Sequence, residues 1–330
     1  GVQTCALPIS NRHVNDNDKL AEIIFKLVKG VKDIDTLSLL MKEIRVLGIT
    51  SIHVYFIPLG KLYTYMMKFG ASSMKEIDEE LLSDFLASTT AHLSDATKKN
   101  YRISLIGFFG YIDKQNEQSN GIAYIYRIEL KNWGGLSGKS GTKLPSFLNK
   151  EEVKKFINSI DMFEFKNPNL AARNRLIIKT ILYTGIRVGE AININIKDFV
   201  KENDAYIIQV RGKGNKPRIV MIKTSIIQGD LDTWLSCRQC EDNLFFCNQK
   251  GHKLTQSYIS RLVEKILLFT GLRKEKNGAH MLRHTFATLL YQKSKDLILV
   301  QESLGHADIN TSRIYTHFDT SRLEQTTDIF

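Results

Sequence analysis

Residues 131–147 read Lys-Asn-Trp-Gly-Gly-Leu-Ser-Gly-Lys-Ser-Gly-Thr-Lys-Leu-Pro-Ser-Phe. Four glycines and three serines leave this stretch with a large conformational entropy and few apolar side chains to offset it. It is expected to be a flexible linker. A break here divides a chain of 330 residues into two parts, each long enough to bury a core of its own. The expected organisation is a tail over 1–16 (a fragment end or foreign extension), a helical domain over 17–130, the linker over 131–147, and a second domain over 148–330.

The first part carries helical spacing. Leu20, Ile23, Ile24, Leu27 and Val28 recur at one-face intervals. Similar patterns predict helices over about 36–47, 59–69, 78–93 and 95–113. In the second part, Asn149 with Glu152 three residues on predicts a capping box opening a helix over 150–160. A helix over 170–183 is apolar on most faces, so it is expected to be buried. Residues 205–210 and 218–222 read as strands, and the glycine-rich turn between them predicts a hairpin. From about 255 the pattern is helical again. The expected fold class is mainly α with a small β-sheet.

Composition excludes several classes. At 43% hydrophobic and 25% charged residues, the chain is ordinary globular protein. No apolar run approaches the roughly 18–20 residues of a membrane span, so no membrane partner is expected. The N-terminus lacks the charged start and apolar core of a signal peptide, and the expected compartment is cytoplasmic. The four cysteines do not suggest a disulfide framework in a chain this long. Cys237-Arg-Gln-Cys240 has zinc-ligand spacing, but Cys247 and His252 would complete the set only irregularly. Surface or core thiols are therefore expected, and no metal. A net charge of +11 suits a polyanion such as nucleic acid, and equally a basic protein with no such partner. Lys98, Lys99 and Arg102, at the start of the 95–113 helix, read either as a solvated face or as a phosphate-contacting end.

The residues able to do chemistry lie in the second part. On a helix through Ala279–Leu290, His280 and Arg283 share one side while Leu282, Phe286 and Leu289 share another. His280 and His284 also have the spacing of a metal pair, without the His-Glu-x-x-His pattern or a third carboxylate. Arg187 follows a glycine break in Thr184-Gly-Ile-Arg-Val-Gly-Glu190. Lys213 stands in the glycine-flanked turn, and Leu304-Gly-His306 precedes Ile314-Tyr315-Thr-His317.

Taken in order, Arg187, Lys213, His280-x-x-Arg283, His306 and Tyr315 resemble the active site of the tyrosine, or lambda-integrase-type, recombinases. The surrounding words Thr-Gly-Ile-Arg, Gly-Lys-Gly-Asn-Lys, His-Met-Leu-Arg-His-Thr-Phe-Ala-Thr and Leu-Gly-His fit as well. The likeness covers 148–330, and Thr97-Lys-Lys-Asn-Tyr-Arg102 resembles the core-binding domain of the Xer branch. Within that branch the chain is most similar to recombinases that work alone on a chromosomal dif-type site.

The resemblance implies a helical core-binding domain and a catalytic domain forming a C-shaped clamp on duplex DNA. It implies Tyr315 as nucleophile, Arg187 and Arg283 on the scissile phosphate, and Lys213 as proton donor to the leaving oxygen. His280 would assist proton transfer at Tyr315, His306 would hold the phosphate, and Glu190 would support Arg187. The implied partners are double-stranded DNA, further copies of the chain in a homotetramer on two sites, and the FtsK translocase. Neither metal, ATP nor any other cofactor is implied. Residues 1–10 match nothing in the family pattern. Alternatives sharing these residues are an integrase of a mobile element and a catalytically inactive DNA-binding protein. A metal-dependent nuclease built on His280, His284 and the cysteines is a further reading.

Overall fold

A computed structural model describes residues 16–49, 51–70, 73–117, 124–133, 145–212, 216–240, 243–275, 277–306 and 311–318. The chain divides into two compact units, residues 1–142 and 143–330.

The first unit is helical: α1 (Asn17–Val28), α2 (Ile34–Val46), α3 (Ile52–Lys68), α4 (Glu79–Thr90) and α5 (Asp95–Glu117). Asp16, Asp33 and Asp78 each cap a helix by accepting a backbone N–H with the side chain. Each cap satisfies a donor that the first turn leaves unpaired. Leu20, Ile23, Met41 and Ile44 form one core, and Leu82, Phe85, Leu105 and Phe109 anchor a second. Residues 124–133 are pinned to α5 by polar contacts. Asp113 accepts from the backbone N–H groups of Tyr126 and Arg127 at 2.7 and 2.9 Å. Arg102 donates through Nε and Nη2 to the carbonyls of Leu130 and Glu129, at 2.9 and 3.0 Å.

The second unit opens with α6 (Lys150–Met162). Its capping box forms as the sequence predicts: Asn149 Oδ1 accepts from Glu152 N, and Glu152 Oε2 accepts from Asn149 N, each at 2.9 Å. Then come α7 (Pro168–Thr184), α8 (Val188–Ala191) and three strands, β1 (Phe199–Glu202), β2 (Ala205–Arg211) and β3 (Pro217–Lys223). The strands form an antiparallel sheet in the order β1-β2-β3, with β2 and β3 as the expected hairpin. After them run α9 (Thr224–Cys237), α10 (Gln256–Phe269), α11 (Ala279–Ser294), α12 (Leu297–Leu304) and a 3-10 helix over Arg313–Phe318. The core gathers Ile177, Ile181, Ile208, Trp234, Val263 and Leu282, all nearly or fully buried.

Two elements went unanticipated. β1 has four residues, of which only Phe199 turns inward, so no alternation marks it. α9 does carry a signal, since Ile227, Leu231 and Trp234 recur on one face and are buried. The cysteine expectation is corrected: Cys240 and Cys247 are disulfide-bonded rather than thiols. The chain turns back after α9 so that their Cα atoms lie 5.3 Å apart, within bridging range.

Candidate active site

The corner between α7 and α8 sets the first arginine. Gly185 ends α7 with φ +65°, and a Cβ there would fall 2.3 Å from Cδ1 of Phe286. Only glycine takes both this conformation and this contact without strain. Arg187 then caps α8. Its backbone N–H donates to Glu190 Oε2 at 2.7 Å and its Nη1 to Oε1 at 2.9 Å.

Glu190 is a hub. Arg218, near the start of β3, donates to it through Nη1 at 2.9 Å and Nη2 at 2.6 Å. Burial would raise this carboxyl, but Arg218 and the Arg187 backbone and side chain outweigh it and hold the group below its ordinary range. Arg218 Nε also donates to the Ser303 carbonyl at 3.3 Å. Gly305, with φ +64°, lies so close that a Cβ would stand 3.0 Å from Arg218 Cδ. One guanidinium therefore ties β3, α8 and the end of α12 together.

α11 supplies the second arginine. Arg283 is 2% exposed, and its fork donates to the carbonyls of Gly185 and Leu304 at 2.7 and 2.8 Å. Desolvation first, and repulsion by Arg187 second, lower its pKa to about 10, so it stays charged at neutral pH. The next residue, His284, places its Nδ1 3.1 Å from the Tyr315 hydroxyl. His280 meets the His284 ring edge-on at 4.6 Å between centroids.

The turn after α12 places His306, whose Nδ1 lies 2.8 Å from Ser312 Oγ. Desolvation and the facing Arg283 depress both His284 and His306 to about 4, with His280 repelling the former and Arg187 the latter. His280 is also lowered, by desolvation and then by Arg283 and Arg187. These imidazoles are neutral at pH 7. Tyr315 is 1% exposed and packs with Ala287, Tyr291, Val300 and Leu304. Burial raises its hydroxyl, against the pull of Arg283 and Arg187.

The structure thus gathers these residues around the two arginines: Arg283 and Arg187 act electrostatically on His280, His306 and Tyr315, and Glu190 acts on Arg283 and His306. Lys213 lies outside the described residues. Its neighbour Gly212 donates to the Lys216 carbonyl at 2.9 Å, and a Cβ on Gly212 would stand 3.5 Å from Glu190 Oε1. The ends of that turn therefore sit against the Glu190 hub. The ring hydrogen-bonded to Tyr315 is that of His284, and His280, the residue the resemblance implies for proton transfer, packs edge-on against that ring. Sequence reading missed Arg218 altogether and considered His284 only as a metal ligand. Among the described residues, no group of three or more His, Cys, Asp or Glu side chains could hold a metal ion.

Such a site carries three buried or half-buried arginines against the one carboxylate of Glu190, with neutral imidazoles and a sequestered phenol. It can bind a phosphate group and offer an oxygen nucleophile. In the first unit, Lys98 pairs with Asp95 at 3.9 Å, Lys99 is exposed, and Arg102 is engaged with backbone carbonyls.

Comparison with known proteins agrees with this chemistry. Residues 2–116 match the phage integrase SAM-like domain and residues 146–322 the phage integrase family. Tyrosine recombinase XerH of Campylobacter jejuni is 54% identical over 96% of this chain and 88% of its own length. XerH of Helicobacter pylori is 49% identical over 98% and 91%. A crystal structure of XerH bound to a palindromic difH substrate, a post-cleavage complex, superposes with a TM-score of 0.84 at 51% identity, covering 97% of this chain and 91% of that one. A lambda integrase dimer bound to a core site, at 17% identity and TM-score 0.56, shares the fold over 84% of this chain and 95% of its own. With the arginines, imidazoles and tyrosine assembled as above, the chain belongs to the phage integrase family and is a tyrosine recombinase, an enzyme that cuts and rejoins DNA at specific sites.

Proposed function

We propose that this recombinase acts alone at a dif-type chromosomal site and resolves chromosome dimers at cell division. The observation that carries the reading is its 54% identity to XerH over 96% of the chain, together with its likeness to XerH structures on difH DNA in pre-cleavage and post-cleavage complexes. The assembly proposed is a homotetramer on two duplex sites in the cytoplasm, with FtsK as the partner that controls it in the cell. Residues 17–130 would bind DNA as the core-binding domain, 131–147 would cross the duplex as a linker, and 148–330 would carry out catalysis. The two domains would close as a C-shaped clamp.

In the proposed reaction, the Tyr315 oxygen attacks the scissile phosphorus. A Tyr315 O–P bond forms, the P–O5′ bond breaks, and the phenolic proton leaves. Lys213 gives a proton to the departing 5′-oxygen. Arg187 and Arg283 meet the charge that builds on the non-bridging oxygens. His306, whose Nδ1 is engaged with Ser312, has Nε2 for the same phosphate. His280 and His284 take the phenolic proton between them. One phosphodiester replaces another, so ligation reverses the sequence with no external energy, and no cofactor enters.

The test is recombination between two dif-type duplexes by the purified chain alone, in excess EDTA. The reading predicts exchanged products from matched sites and none when one site is scrambled. Exchange that needed a second recombinase, or that ignored the scrambling, would contradict it.

A further inference from the structure

Glu190 accepts four hydrogen bonds, two from Arg187 (backbone N–H and Nη1) and two from Arg218 (Nη1 and Nη2). A carboxylate offers about four lone-pair sites, so this one is saturated. The two guanidiniums are unequally committed. Arg218 is 12% exposed and gives both ends of its fork to Glu190. Arg187 is 36% exposed and gives only Nη1. One carboxylate neutralises one of these cations. The geometry assigns that role to Arg218, since a two-bonded fork holds a carboxylate more tightly than a single donation.

We propose that Arg218 is a positioning residue: by saturating Glu190 it keeps Arg187 from folding its whole fork onto that carboxylate, and so leaves the Arg187 guanidinium able to clamp the scissile phosphate. Without Arg218, Glu190 has acceptor sites to spare and a charge facing Arg187 alone. The low-energy arrangement is then a two-bonded Arg187–Glu190 pair, the geometry that guanidinium and carboxylate favour. Arg187 would be retained in the fold and lost to the phosphate. The side chain also reaches Ser303 and packs under Gly305, so its setting is shared with the turn that carries His306.

The inference rests on the reading of Arg187 as a phosphate clamp, and the test separates the two. Each variant is assayed in single turnover on two nicked substrates. One carries the natural scissile phosphate and the other an uncharged methylphosphonate at that position, and cleavage is read as adduct plus hydrolysed product. Arg218→Met keeps the alkyl stem and removes the charge. It should bind a half-site as the parent does and cleave the natural phosphate on the order of tenfold more slowly, short of the roughly 100- to 1,000-fold loss of a whole transition-state donor. On the methylphosphonate, where no charge awaits Arg187, variant and parent should cleave at similar rates. Arg218→Lys keeps the charge on Glu190 and should recover most of the loss. A mere folding defect would lower the active fraction on both substrates equally and leave the rate constants alone.

Arg187→Ala serves as the control on the underlying reading. If its defect persists on the methylphosphonate, the clamp assignment fails. If it disappears there while Arg218→Met stays equally slow on both substrates, the clamp stands and the role of Arg218 is overturned. A parental rate for Arg218→Met on the natural phosphate, or no recovery in Arg218→Lys, would overturn it as well.

Discussion

His284 Nδ1 lies 3.1 Å from the hydroxyl oxygen of Tyr315, so the phenol of the proposed nucleophile is held by a neutral imidazole in a nearly dry pocket. In the tautomer protonated at Nε2, Nδ1 accepts the phenolic hydrogen bond. His284→Phe leaves that buried hydroxyl unpaired. The variant should lose about 1–3 kcal/mol of stability and cleave a nicked suicide substrate on the order of 100-fold more slowly. His284→Gln, which retains a polar partner, should lose less. Unfolding by denaturant and single-turnover cleavage check the two effects, and an unchanged cleavage rate in His284→Phe would remove it from the proton path.

The depressed imidazoles predict a stability profile. His284 and His306 titrate near 4 in the folded chain, below the ordinary value of about 6.5. Between those values the unfolded chain binds more protons, so acid favours unfolding. Stability from these groups is fully present above about pH 6.5 and is lost as pH falls toward 4. Melting temperature measured across that window on the DNA-free protein should decline, and less steeply in a His284→Gln, His306→Asn double variant.

Gly185 predicts a backbone effect with a catalytic consequence. Gly185→Ala places a Cβ 2.3 Å from Phe286 at φ +65°. The conformational strain alone is roughly 1–2 kcal/mol, and the clash adds to it. Because the Gly185 carbonyl accepts from Arg283, the variant should show both a lowered melting temperature and slower cleavage. A normal melting temperature would contradict the packing described.

The basic start of α5 divides into two kinds of residue. Arg102 holds residues 124–133 through two carbonyls, so Arg102→Ala should cost stability of the first unit. With Arg102 engaged in this way, the phosphate-contacting reading of the trio falls to Lys98 and Lys99. Replacing both should weaken binding about equally on cognate and unrelated DNA, and each real contact removed should flatten the slope of log affinity against log salt by about 0.9. An unchanged slope would identify the pair as a solvated face.

The candidate residues were legible as a set because the family words are local: Thr184–Glu190, His280–Ala287 and Leu304–His306 each place a candidate side chain at a helix end or on one helix face. What stayed hidden was pairwise. Arg218 looks like any strand residue beside a basic turn. Its meaning comes from Glu190, twenty-eight positions earlier, and Ser303, eighty-five later. His284 sits thirty-one residues before Tyr315, and helical spacing from His280 marked it for a metal instead. The disulfide likewise depended on how the chain turns after α9, which composition does not encode.

The proposed reaction requires Tyr315 to become covalently joined to DNA. The direct measurement is to trap the enzyme on a nicked dif-type duplex, digest the complex, and identify by mass spectrometry the residue that carries the nucleotide. A single phosphotyrosyl linkage is expected at Tyr315, and Tyr315→Phe is expected to bind DNA ordinarily and form no adduct. A linkage at any other residue, or a normal adduct yield from Tyr315→Phe, would contradict it.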